Sequence, residues 1–167
     1  MPVTDLILHE EEFLKLTEHS EKLLAEANAR YVALIDRNGQ PIASAGELPD
    51  VDRTALASLA AGNVAATETL ARMVGEASFA TLYAEGEKDH LHISVVGELG
   101  ILLVIFDERS SLGLVRLRVR QNTPELETIF SDMSERAQSG KVEGEGFGAG
   151  MAEITDEDID NLFGDRI

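Results

Sequence analysis

The feature that most limits what this chain can fold into is the run Ile101-Leu102-Leu103-Val104-Ile105-Phe106. It is apolar at every position and bounded by Gly100 and Asp107. A strand with one wet face alternates between apolar and polar residues. An unbroken apolar run this short reads instead as a strand covered on both faces, in the middle of a sheet.

The rest of the chain supplies that sheet and its cover. Strand signals near 78–85 and 90–96 precede the apolar run, broken by Glu85-Gly86-Glu87-Lys88-Asp89 and Gly97-Glu98-Leu99-Gly100. Tyr31–Ile35 and Pro41–Ala45 flank Asn38-Gly39, the strongest short hairpin signal. Residues 9–28 have helical spacing, with Phe13, Leu16, Ser20, Leu23 and Ala27 on one face and Glu10, Glu11 and Glu12 at the dipole-favoured start.

A second helix is expected over 52–74, with Asp52 as N-cap and Gly75 just past its end. Its expected core stripe is Leu56, Leu59, Asn63, Ala66, Leu70 and Met73, with Val74 beside them. A third helix begins at the Ser110/Ser111 cap and runs to about 137. Pro124 either kinks it or opens a new segment capped by Thr123. The Gly/Ser/Glu-rich stretch 138–152 reads as a flexible linker, and 155–163 regains helical character. The expectation is an α/β protein in the order α-β-β-α-β-β-β-α, with a domain over 1–137, a linker over 138–152 and an acidic tail over 153–167.

Charge narrows the function. The formal net charge is −17, so nucleic-acid phosphates and anionic membrane surfaces would repel the chain. No apolar run approaches the roughly 20 residues of a membrane span. Met1–Asp5 has neither a basic nor an apolar leader region, so a cytoplasmic protein is expected. There are no cysteines, hence no thiolate chemistry. The chain lacks G-x-x-x-x-G-K-[ST], and the glycines at 144–150 lie beside Glu143 and Glu145, which would repel a pyrophosphate. His90 and His92 share a strand face, with no third ligand of suitable type nearby except Asp89 or Glu87, so two solvent-facing histidines are expected and no metal. No cofactor and no catalytic residue stands out. Arg109, Arg116, Arg118 and Arg120 form a basic cluster, read as a solvated face rather than as an arginine finger.

One surface is unusual. Opposite the expected core stripe, the second helix carries Thr54, Ala57, Ser58, Ala61, Gly62, Ala65 and Thr69, with no long side chain until Glu68 and Arg72. A solvent face ordinarily carries Lys, Glu and Arg. Small residues let another backbone approach closely, and Gly62 costs about 1 kcal/mol relative to Ala. The face is therefore expected to bind a partner. The short patch Ile159/Leu162/Phe163 in the tail suits a segment that orders on a partner.

Four blocks carry a family resemblance: Ala33–Gln40, Leu56–Ala66, Leu103–Leu117 and Ile154–Phe163. With the element order, they make the chain resemble the roadblock/dynein-light-chain superfamily, and within it the bacterial MglB group, GTPase-activating partners of the Ras-like GTPase MglA. The resemblance implies a central five-stranded antiparallel sheet with helices on both faces. It also implies a homodimer with a continuous sheet and with the two second helices side by side. The GTPase is expected to bring its own catalytic Arg and Gln, and the activator to position them, in cell polarity and motility. Carried over, the GTPase platform is Ser58, Ala61, Gly62, Ala65 and Thr69, and the tail contact is Ile159, Leu162 and Phe163. The rival reading is a non-catalytic roadblock scaffold that tethers a GTPase, because fold alone does not decide function.

Overall fold

The computed structural model describes residues 8–149, with side chains through Ser139. The order is α1 (Glu10–Glu26), β1 (Tyr31–Asp36), β2 (Pro41–Gly46), α2 (Arg53–Val74), β3 (Thr81–Glu85), β4 (His90–Val96), β5 (Gly100–Phe106) and α3 (Leu112–Ala149). The five strands form one antiparallel sheet in the order β2-β1-β5-β4-β3. The apolar run is β5; it is buried throughout and lies at the centre, as its lack of alternation requires.

The pleat sends alternate residues to two separate cores. Val32 and Leu34 of β1 and Leu102, Val104 and Phe106 of β5 pack under α1 and α3, against Leu16, Leu23, Val115, Val119, Leu126 and Phe130. Tyr31, Ala33 and Ile35, with Ile101, Leu103 and Ile105, face α2 on the other side. Helices α1 and α3 therefore share one face of the sheet, and α2 is the one helix on the other face among the described residues.

Local signals account for most boundaries. Asp52 caps α2 by accepting from the amides of Thr54 and Ala55, both at 3.1 Å. Gly75 ends α2 in the left-handed conformation, φ 82°. In the hairpin, Asp36 Oδ1 accepts from the amides of Asn38 and Gln40, each at 2.9 Å, which holds the turn. Ser111 Oγ accepts from the Leu114 amide at the start of α3.

Three expectations change. In α1, Phe13 is exposed and the neighbouring Glu12 is buried. Glu12 accepts from the His9 amide through one carboxylate oxygen, and Arg136 of α3 lies against the other as its counter-charge. In α3, Pro124 lies inside one continuous helix on an exposed position, where the lost hydrogen bond faces water. The helix also passes the expected domain end at 137 and runs to Ala149, into the stretch read as linker. Extending a helix already nucleated on a core is far easier than starting one. The tail patch Ile159, Leu162 and Phe163 lies outside the described residues.

Candidate functional site

The largest correction concerns which side of α2 faces the core. The buried positions are Ala57, Ala60, Ala61, Val64, Thr67 and Ala71. Of the residues expected inside, Leu56 is half-buried against the sheet, but the others stand out: Leu59 is 71% exposed, Leu70 55%, Met73 78% and Val74 68%. The reason lies in the sheet beneath. Tyr31, Ile35, Ile93, Ile101, Leu103 and Ile105 already fill the layer, so the helix above must be lined with small residues. The largest apolar side chains of α2 are left over for something else.

Two contacts orient the exposed surface. On one flank, Glu68 pairs with Arg37 of the β1–β2 turn, and Gly39 of that turn presses on the Ser58 backbone. On the other flank, Val64 and Thr67 lie beside Phe79, Ala80 and Leu82, the approach to β3 and the strand itself. At 100° per residue, Leu59, Asn63, Leu70 and Val74 project on this β3 side, whereas Ser58, Ala65, Thr69 and Arg72 project toward the hairpin. Gly62, Ala66 and Met73 lie outermost.

The outer surface of α2 is thus two stripes. The stripe toward β3 is apolar apart from Asn63 and continues into an edge strand: β3 pairs only with β4 among the described residues, and Thr81, Tyr83, Ala84 and Glu85 are exposed. The stripe toward the hairpin carries small side chains. Of the five expected platform residues, Ser58, Gly62, Ala65 and Thr69 face solvent, and nothing stands within 4 Å of a Cβ placed on Gly62. Ala61 does not join them; it is 8% exposed and packs against the sheet. Thr69 donates to the Ala65 carbonyl and accepts from Arg72, both at 3.2 Å, so the stripe keeps a low profile. Arg72 closes it at the C-terminal end.

The basic cluster is elsewhere. Arg109 precedes α3, and Arg116, Arg118 and Arg120 lie on it, across the sheet from α2. Arg109 donates through Nε to Asp107 at 3.0 Å, and these bonds hold the Asp107 carboxyl below its ordinary range. Arg118 bonds Gln121. Arg116 and Arg120 are exposed. The two surfaces singled out in the sequence are therefore on opposite layers, and these arginines share no surface with the small stripe.

His90 and His92 do not form a solvent-facing pair. His92 is buried, and burial first, then the nearby Arg116 charge, pushes its pKa down to about 4. His90 packs its ring against Phe106 and Tyr83, with centroids 5.2 and 6.2 Å away. Among the described residues no group of three His, Asp or Glu side chains could hold a metal ion. None of the described helices is long and apolar enough to cross a membrane.

Residues 15–106 match the model of the Roadblock/LC7 domain. No curated protein sequence matches the chain. Solved structures do. Myxococcus xanthus MglB is 48% identical, with a TM-score of 0.71 over 77% of this chain and 96% of that one. The gliding protein MglB of Thermus thermophilus is 35% identical, with a TM-score of 0.70 over 77% and 97%. An MglB described as having a tetrameric arrangement is also 35% identical, with a TM-score of 0.72 over the same shares. With the αββαβββα order and the five-stranded antiparallel sheet in place, the chain belongs to the Roadblock/LC7 family, as a bacterial protein of the MglB type.

Proposed function

We propose that this protein is a homodimeric activator of an MglA-type, Ras-like small GTPase, acting in cell polarity and motility, without an active site of its own. The observation that carries this reading is the outward face of α2, a low stripe of Ser58, Gly62, Ala65 and Thr69 in a chain 48% identical to Myxococcus xanthus MglB. A helix face without long side chains admits a partner's backbone closely. The GTPase supplies its own catalytic Arg and Gln, and the platform positions them. Single-turnover GTP hydrolysis by an MglA-type GTPase, with and without this chain, tests the proposal. Acceleration is expected. Binding without acceleration would leave the tethering scaffold.

The apolar stripe and the β3 edge support the dimer. Leu59, Leu70 and Val74 form an apolar row beside an edge whose backbone hydrogen bonds seek a partner, and Met73 stands exposed next to it. A two-fold axis beside β3 would pair the two edges and set the apolar stripes against each other, leaving both small stripes free. The tail residues Ile159, Leu162 and Phe163 form a second GTPase contact in this reading. The working site is the cytoplasm, where such a GTPase would be met.

A further inference from the structure

α2 is seated on the sheet mostly through short side chains, Ala57, Ala60, Ala61, Val64, Thr67 and Ala71, with Leu56 half-buried near its N-terminal end. Such a face has shallow ridges, and shallow ridges resist sliding and rotation poorly. The contacts that do have direction come from the β1–β2 turn. Gly39 is buried with φ 84°, and a Cβ there would meet the Ser58 Cα at 2.8 Å, so the turn lies against the helix backbone. Its neighbour Arg37 reaches two elements at once. Its Nη1 pairs with Glu68 of α2, and its Nε donates to the Glu98 carbonyl in the β4–β5 turn at 3.0 Å. Ser58 and Glu68 are ten residues apart, about 15 Å along the helix. Two anchors that far apart fix both its rotation and its slide.

We infer that Arg37 is a positioning residue: by tying α2 to both turns, it sets the angle at which the small stripe meets the GTPase. The planar guanidinium makes this possible, because one side chain serves a carboxylate and a carbonyl in fixed directions. Asp36 supports it from behind by holding the turn through the Asn38 and Gln40 amides. The inference rests on the proposed GTPase platform for its functional consequence, but its structural part stands apart from that reading.

The experiment uses the full chain carrying Arg37→Ala, Arg37→Lys or Glu68→Gln. Two quantities are read: amide hydrogen exchange across residues 57–72, and GTP hydrolysis by an MglA-type GTPase as activator concentration is varied. For Arg37→Ala, exchange in α2 should quicken by about fivefold or more while β1 and β5 keep their protection, a fivefold change corresponding to about 1 kcal/mol. The half-saturating activator concentration should rise by at least a similar factor. The maximal rate should stay within about twofold, since the GTPase's own groups do the chemistry. Arg37→Lys should recover part of both effects, because an ammonium can reach Glu68 but cannot serve both partners in the same geometry. Glu68→Gln, a gentler change, should show the same split in smaller measure. Unchanged α2 exchange with an unchanged half-saturating concentration would overturn the inference. So would exchange that quickens equally in every element, which marks a general loss of stability. Absence of stimulation by the wild-type chain would defeat the platform reading alone, and α2 exchange would then decide the role of Arg37.

Discussion

Replacing Ala65 with Arg separates the fold of α2 from its use. Ala65 is exposed, on the small stripe, and a full turn from buried Ala61. Arg follows Ala closely in helix propensity, and an exposed substitution usually changes stability by no more than about 0.5 kcal/mol. The variant should therefore keep its melting temperature within a few degrees and its oligomeric mass. Against a GTPase, the same side chain lifts the partner's backbone off the stripe or buries an unpaired guanidinium, which costs about 3–5 kcal/mol. At about 1.4 kcal/mol per tenfold, that weakens binding by more than a hundredfold. The assay is GTPase binding together with single-turnover hydrolysis. Normal stimulation would refute the platform. Ala61→Arg is the internal control. One turn earlier, it forces a charged side chain between α2 and the sheet. It should unfold the domain or lower its melting temperature steeply. If Ala65→Arg unfolds the chain and Ala61→Arg does not, the orientation of α2 derived above is wrong.

Three further outcomes are expected. Leu70→Glu with Val74→Glu, on the apolar stripe, should give a folded monomer by light scattering at micromolar concentration; an unchanged mass would move the dimer contact elsewhere. Single replacements of Arg109, Arg116, Arg118 and Arg120 by Ala should reduce the maximal stimulated rate far less than the roughly 10³–10⁵ of an arginine finger, and a loss above about a thousandfold at any one would make it the finger. For buried His92, the folded pKa of about 4 lies below the ordinary 6.5, so between those values the unfolded chain binds a proton that the folded chain refuses. This contribution lowers stability as pH falls through that window and is absent above it, and His92→Leu should lose less melting temperature between pH 6.5 and 4.5 than the parent; an equal loss would show that His92 titrates alike in the folded and unfolded chains.

How much was legible in advance differs by element. The sequence by itself determined the elements and their order, because those follow from local chemistry. The β5 run has no polar position to turn toward water, Asn38-Gly39 closes a hairpin, and Asp52 and Gly75 bracket α2 with a cap and a left-handed stop. It also marked the small residues of α2 as unusual. Only the tertiary structure decided which of them face outward. In a lone amphipathic helix the largest apolar side chains belong inside, and that rule puts Leu59, Leu70 and Met73 in the core. Here the sheet supplies the bulk through Tyr31, Ile35, Ile93 and Ile105, leaving room above mostly for short side chains, so Ala61 turns inward and Leu59 and Leu70 turn toward the β3 edge. His92 became buried for a similar reason: strand alternation fixes its face, but whether that face is wet depends on a helix from elsewhere in the chain. Local pattern records what a residue prefers, while the space left by distant residues settles what it gets.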